Sequence, residues 1–355
     1  MLPDKYHFGV IVARHQAEVH TLPFPEVGPE DVVIKLAINN ICTTDYQQWM
    51  GLRDHHGFPN AGGHEYAGTI VAKGEKVLDD FQIGQQVGAM METCGVCENC
   101  RRGLTADCLH TGGIGVKGPD GYYSFVKGFA NYMVANQKLV VPISNDVPPE
   151  QAAFLEPVST VINCVKRARI QPMEDVVVIG AGTMGILNAQ VAKAWGARVI
   201  ITEVDPNKLE RARSMGIADV VDSKNSDPIE EVKRLTKGKG ADVVIAAVGA
   251  TIAYKQGYDM LKQKRGRLII FPAGYPKPEL HVDPNELHYR KMEIIGVFNG
   301  DREDWLDSAR LISNKMIDCS YSLQGVKIPL RDIQKAYELA ATPGTYRVSV
   351  DLQEI

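Results

Sequence analysis

From Asp175 to Gly300 the chain alternates near-continuous Val and Ile runs with amphipathic stretches, and this constrains its fold more than any other feature. The apolar runs are DVVVIGAG, ARVIITEV, ADVVD, ADVVIAAVG, GRLIIFPAG and MEIIGVFNG. Between the first four lie helix-forming segments over Thr183–Trp195, PNKLERARSMG and PIEEVKRLTKG, and a fourth spans Tyr254–Lys264. Strands that are apolar on both faces need cover on both faces, so a parallel sheet between two helical layers is expected. Six such strands fit a doubly wound dinucleotide-binding sheet.

The junction between the first run and the first helix reads Gly180-Ala-Gly182-Thr183-Met184-Gly185, a G-x-G-x-x-G pattern in strand–turn–helix context. Gly180 allows the tight turn, Gly182 lets the backbone approach a pyrophosphate, and Gly185 permits close packing of helix on strand. The helix start then offers unpaired N–H groups and partial positive charge to the phosphates. Glu203, 18 positions beyond Gly185, closes ARVIITE. A carboxylate there can accept from the adenosine ribose hydroxyls and repel a 2′-phosphate, which points to NAD; Asp205 is the alternative. Lys208 on the next helix is placed to lie over the adenine or simply to face solvent.

Residues 1 to about 150 have another texture: short β runs such as VVIKLAINNI, YAGTIVAKG, QQVGAM, FANYMVAN and KLVVPI, broken by Gly and Pro. They predict an antiparallel, barrel-like domain. After Gly300 come a helix (Asp301–Met316), a short β run, a helix (Arg331–Ala341) and a final strand, YRVSVDL. This tail is expected to rejoin the first domain, giving a discontinuous domain of 1–157 plus 300–355 around a coenzyme domain of 158–299. The 355 residues carry 39 basic and 43 acidic side chains, a net charge of −4. Without a basic block the chain lacks the means to neutralise nucleic-acid phosphates. No apolar run approaches the roughly 20 residues that span a bilayer. The N-terminus, with Asp4 and His7 before a short apolar stretch, is unlike a signal peptide, so a cytoplasmic protein is expected.

Four of the seven cysteines, Cys94, Cys97, Cys100 and Cys108, fall within 15 residues as C-x2-C-x2-C-x7-C. Four thiolates in one loop can close a tetrahedron around a structural Zn²⁺. An iron–sulfur cluster is the competing reading, but no Cys-Pro follows, and one isolated set beside a hydride-transfer fold favours zinc. Cys42, His64 and Glu65 offer a thiolate, an imidazole and a carboxylate from separate β segments, ligands suited to an open zinc site.

Gly63-His64-Glu65-Tyr-Ala-Gly68, followed by Gly74 and Val77, matches the zinc-containing alcohol dehydrogenase signature. With Cys42, the cysteine loop and the glycine motif, the chain resembles the medium-chain dehydrogenase/reductase superfamily from end to end. Phe154-Leu-Glu156-Pro157 is similar to the polyol branch typified by sorbitol dehydrogenase, whose relatives act on threonine, galactitol phosphate and aminocyclitols or inososes. The resemblance implies a GroES-like catalytic domain, a Rossmann coenzyme domain, an active site in the cleft between them, and two zinc ions per chain with NAD. It implies that Cys42 and His64 bind the catalytic zinc, with Glu65 or Glu156 as the further protein ligand, and that Thr44 hydrogen-bonds the reacting alcohol. Phe271-Pro272-Ala273 and Val297-Phe298-Asn299 would line the nicotinamide pocket.

Two positions depart from the pattern. Gln47 stands where the family often has a proton-relay histidine, which leaves His55 and His56 as other bases or as solvated loop residues. Asn299 stands where sorbitol dehydrogenases have an arginine. Glu65 and Glu156 make the pocket polar and anionic, while Gln47 and Asn299 both donate and accept hydrogen bonds. The expected substrate is therefore an uncharged polyol, sugar or cyclitol. The alternatives are threonine, another amino alcohol or a simple alcohol, and outside enzymes a non-catalytic NAD(H) sensor. The open Cys42/His64/Glu65 set argues against a sensor. Expected partners are this small molecule and further copies of the chain, as homodimer or homotetramer; nucleic acid and membrane are not expected.

Overall fold

The computed structural model describes residues 2–110, 115–124 and 126–355. The chain forms two compact units, Met1–Pro157 with Asp301–Ile355, and Val158–Gly300.

The first unit begins with a hairpin of β1 (Lys5–Ala13) and β2 (Gln16–Pro23), absent from the predicted β runs. It continues through β3 (Asp31–Asn40), α1 (Thr43–Trp49), β4 (Glu65–Lys73), β5 (Gln86–Ala89), α2 (Glu98–Arg101), β6 (Tyr132–Asn136), β7 (Val140–Pro142), α3 (Pro149–Ala152) and the start of α4 (Leu155–Arg167). The second unit runs β8 (Asp175–Ile179), α5 (Thr183–Ala194), β9 (Arg198–Glu203), α6 (Pro206–Ser214), β10 (Ala218–Asp222), α7 (Pro228–Leu235), β11 (Val243–Ala246), α8 (Thr251–Asp259), β12 (Arg267–Ile270), α9 (Pro284–Arg290) and β13 (Glu293–Gly296). The chain then returns to the first unit as α10 (Arg302–Ser313), β14 (Leu323–Pro329), α11 (Ile333–Ala340) and β15 (Arg347–Asp351).

In the second unit six parallel strands lie in the order β10-β9-β8-β11-β12-β13. The chain starts at the centre, winds outward to one edge, then crosses to the other, the order of a doubly wound sheet. Val176, Val177 and Val178 on β8 and Val243, Val244 and Ile245 on β11 are fully buried, because both faces of these central strands carry helices. The fourth helix runs Thr251–Asp259 rather than Tyr254–Lys264. The backbone leaves the helix there because Ala241 donates to the Met260 carbonyl and accepts from Lys262 N–H, pinning the segment beside β11.

The main sheet of the first unit follows β14-β15-β3-β4-β5-β7, with β6 also pairing β3. It is mixed rather than wholly antiparallel. β14 and β15 run parallel, as a strand–helix–strand crossover through α11 requires. The three strands that build the site are fixed in register: Asn40 on β3 faces Glu65 on β4 and, on its other side, Ser349 on β15. Phe8, Ile34, Ile70, Phe129, Tyr337 and Val348 meet in the core beneath this sheet. No helix among the described residues is long and apolar enough to cross a membrane.

Candidate active site

Cys42 follows the end of β3 and is the extended N-cap of α1, not part of a β segment as expected. Asp45, at the third helical position, accepts from Cys42 N–H at 3.0 Å through Oδ2. Its Oδ1 accepts from Gly63 N–H at 3.1 Å and lies 3.8 Å from His64 Nδ1. One buried carboxylate thus fixes the thiol and the imidazole relative to each other. Gly63, at φ +88°, makes the turn that delivers His64, and a side chain there would strike Asn39 and Phe129. The ligand atoms of Cys42, His64 and Glu65 all lie within 4.8 Å of one another.

Glu65 is fully buried and held by Arg347, which sequence reasoning passed over. Arg347 Nε donates to Oε2 and Nη2 to Oε1, both at 2.8 Å, and Nη2 also reaches Cys42 Sγ at 3.4 Å. β15 and β4 flank β3, about 10 Å apart across two strand spacings, and the two long side chains meet beyond its end. Glu156 lies half-buried in the first turn of α4. Burial opposes protonation of His64, yet Asp45, Cys42 and Glu156 outweigh it and raise its pKa well above the usual value. Anionic groups outnumber cations here, and a thiolate, an imidazole and carboxylates are donors that fit Zn²⁺.

Beside His64 a small cleft, with room for about one water-sized group, is lined by Thr44, Asp45, Gln48, His56, Asn60 and Val126. Gln47 is not among these lining residues: its Oε1 accepts from Arg53 Nε at 2.9 Å. Gln48, one helical turn beyond Thr44, takes the place expected of Gln47. Its Nε2 donates to the Gly57 carbonyl at 3.1 Å, leaving Oε1 buried without a partner. His55 is exposed, whereas His56 is buried, with Nε2 likewise unpartnered. Burial, with help from His55, Arg53 and His64, lowers the His56 pKa to about 4, so its ring is neutral near pH 7. His56 is therefore not a solvated loop residue.

The sulfurs of Cys94, Cys97, Cys100 and Cys108 also gather within 4.8 Å. Backbone N–H groups point at them: Cys94 N at Cys108 Sγ (3.3 Å), Cys97 N at Cys94 Sγ (3.3 Å) and Cys100 N at Cys97 Sγ (3.5 Å). The N–H groups of Cys100 and Leu109 hold the Cys97 thiol below its ordinary pKa. Four sulfurs supported by backbone donors fit a closed tetrahedral zinc. The loop is tied to α10, since Ala106 N–H donates to Asp301 Oδ1 at 2.9 Å and Thr105 Oγ1 accepts from Arg302 N–H at 2.7 Å.

In the second unit Gly180 has φ +98°, and a side chain on Gly185 would collide with the Gly180 carbonyl. Gly182, the N-cap of α5, faces open space, so a phosphate can approach the N–H groups that begin at Thr183 and Met184. Glu203, at the end of β9, accepts from Ala181 N–H through Oε2 at 2.7 Å and from Val204 and Asp205 N–H through Oε1 at 2.7 and 2.9 Å. Asp205 caps α6, accepting from Asn207 and Lys208 N–H. Lys208 is half-buried in the first turn of that helix. Phe271, Pro272 and Ala273 follow β12, and Val297, Phe298 and Asn299 follow β13, at strand ends of the same sheet. Val297 is buried, Phe298 is 78% exposed, and the Asn299 carbonyl accepts from Asn163 Nδ2 at 2.7 Å.

A mixed-sheet unit with two zinc-type donor sets, and a doubly wound unit with a phosphate cradle, define a zinc- and nicotinamide-dependent oxidoreductase. Residues 28–145 match the alcohol dehydrogenase GroES-like domain family, and residues 183–314 match the zinc-binding dehydrogenase family. The chain belongs to the zinc-containing medium-chain dehydrogenase/reductase superfamily and is an alcohol-type dehydrogenase. It is 31% identical over 340 residues to an L-threonine 3-dehydrogenase of Mesorhizobium japonicum, covering 93% of this chain and 94% of that one. Another L-threonine 3-dehydrogenase, from Rhizobium johnstonii, is 33% identical over 295 residues, 81% of each chain. Among solved structures, benzyl alcohol dehydrogenase from Acinetobacter calcoaceticus superposes with a TM-score of 0.86 at 22% identity, over 99% of this chain and 100% of that one. A putative zinc-binding dehydrogenase from Sinorhizobium meliloti 1021, bound to NADP, also gives 0.86, at 24% identity over 98% and 100%.

Proposed function

We propose that the chain oxidises a secondary alcohol on an uncharged polyhydroxylated skeleton, a polyol, sugar or cyclitol, with NAD⁺. The observation that carries this reading is the lining of the cleft beside His64. Thr44, Gln48, His56 and Asn60 are neutral hydrogen-bonding groups, the one lining carboxylate, Asp45, is engaged by Cys42 and Gly63 N–H, and no Lys or Arg is among the described lining residues. Hydroxyls both donate and accept, which matches such a wall; a carboxylate or phosphate would lack a cation there.

Cys42, His64 and Glu156 hold the catalytic zinc in this reading, because Arg347 engages both oxygens of Glu65. The bound metal and the nicotinamide together supply Lewis acidity toward the hydroxyl and an acceptor for hydride. Thr44 takes the proton of the reacting hydroxyl and passes it on. Asp45 keeps Cys42 and His64 in place, and Arg347 offsets the charge of Glu65. Glu203 retains one acceptor position on Oε2 for a ribose hydroxyl, and its charge disfavours a 2′-phosphate. Homo-oligomerisation fits β13, an edge strand beside the exposed Ile294, Phe298 and Tyr289.

The second reading, threonine, is favoured by the names of the relatives at 31–33% identity. A panel of polyols, cyclitols, L-threonine and simple alcohols with NAD⁺, followed as NADH, separates the two. The best polyol or cyclitol is expected to exceed butanol in kcat/KM by up to about 10⁴-fold. Comparable butanol turnover overturns the proposal, and threonine as the best substrate replaces it with the second reading.

A further inference from the structure

Deep in the catalytic unit, Gln48 Oε1 and His56 Nε2 are buried polar atoms without partners, on residues that wall the same cleft. Gln48 and His56 are 1% and 7% exposed, so solvent does not satisfy them from outside. Unmatched buried polar atoms are rare in folded proteins and call for a partner that the chain itself does not supply. The Gln48 amide nitrogen is engaged by the Gly57 carbonyl, so the unmatched atom on this lining residue is the oxygen, an acceptor. The neutral His56 ring can present Nε2–H as a donor. One group that donates to Gln48 and accepts from His56 completes both, and a hydroxyl is the smallest organic group that does so.

We propose that Gln48 and His56 form a two-point subsite for one substrate hydroxyl, the one on the carbon next to the carbon being oxidised. Thr44 and His64 line the same cleft, and there is room for about one water-sized group, so the hydroxyl held there lies close to the reacting one. The requirement is for a vicinal diol, a narrower class than polyhydroxylated alcohols in general, and it rests on the reading given under Proposed function. Gln48 sits one turn after Thr44 on α1, and His56 follows in a short 3-10 turn over Asp54–His56. The subsite is therefore built on the segment that also carries Cys42, which ties hydroxyl recognition to the metal ligand.

The test uses the full-length, zinc-loaded protein, NAD⁺, and the matched pair cis-cyclohexane-1,2-diol and cyclohexanol. Wild type is expected to prefer the diol by about 100-fold or more in kcat/KM. Gln48→Leu and His56→Leu should each cut that preference, read as the diol/cyclohexanol ratio of kcat/KM, by about 10- to 100-fold, mainly by raising KM for the diol. His56→Gln, which returns an amide N–H, should keep most of the preference. A second measurement needs no variant: in ¹⁵N-histidine-labelled wild type, the diol should shift the His56 Nε2 resonance and cyclohexanol should not. A preference for the diol that survives both leucine variants, with an unmoved His56 resonance, overturns the subsite and leaves the polyol reading intact. Equal turnover of diol and cyclohexanol by wild type overturns the subsite and the polyol reading together.

Discussion

Glu203 shows how a single carboxylate can hold structure and select a ligand together. One backbone hydrogen bond, from Ala181, fastens the end of β9 to the glycine loop and two, from Val204 and Asp205, hold the turn that follows, occupying three of about four acceptor positions. What remains is one lone-pair direction on Oε2 and a full negative charge, less than the acceptor pair expected from sequence for both ribose hydroxyls. Under the function proposed above, that charge sets the choice between NAD⁺ and NADP⁺, because a second anion nearby is repelled at short range. Glu203→Ala should therefore lower the NAD⁺/NADP⁺ ratio of kcat/KM by about 10- to 100-fold. The ratio is the informative quantity, since a loosened loop weakens both coenzymes alike. An unchanged ratio in steady-state assays with the two coenzymes removes this role.

Among the elements, the cysteine loop and α1 differ in how openly the sequence announces them. The four cysteines declare their site through spacing alone, since few other arrangements place four sulfurs within one short loop. Replacing Cys97 by Ser should reduce zinc from two to one per chain by elemental analysis and lower the melting temperature by about 5–10 °C. Full zinc content with unchanged melting would falsify the structural-site assignment. α1 is quieter. Cys-Thr-Thr-Asp has β-branched residues where helix formers are usual, yet Asp45 closes a capping box with Cys42. That box, with Cys in the place of Ser or Thr, was the available signal for a helix. Finding it puts Gln48 rather than Gln47 on the turn above Thr44.

At the scale of the whole molecule, the candidate site is closed by the last strand. After leaving the coenzyme unit, the backbone returns to lay β15 beside β3, and Arg347 arrives opposite a carboxylate 282 positions earlier in sequence. Both partners are buried, so removing one strands a charge. Arg347→Met should destabilise the catalytic unit by about 3–5 kcal/mol in urea unfolding, and adding Glu65→Gln should recover a large part of that loss. Additive losses in the double variant would mean that the pair is not coupled.

Local chemistry made several features readable from the sequence alone. Strand and helix periods reveal a parallel sheet, the glycine motif reveals its phosphate cradle, and close cysteine spacing reveals a metal loop, because each depends on residues near one another in the chain. Cys42, His64 and Glu65 were nameable through a motif, but their geometry depends on Asp45 and Arg347. The capping position of Asp45 is local, but its reach to Gly63 and His64 is not, and an arginine in a last strand is ordinary until packing brings it to a buried partner. The register of β15, β3 and β4 decided that Glu65 is ion-paired. Burial decided that His56 is a neutral, unpartnered wall of the cleft while its neighbour His55 lies in solvent, because desolvation depends on what packs over a residue and no sequence window contains that information.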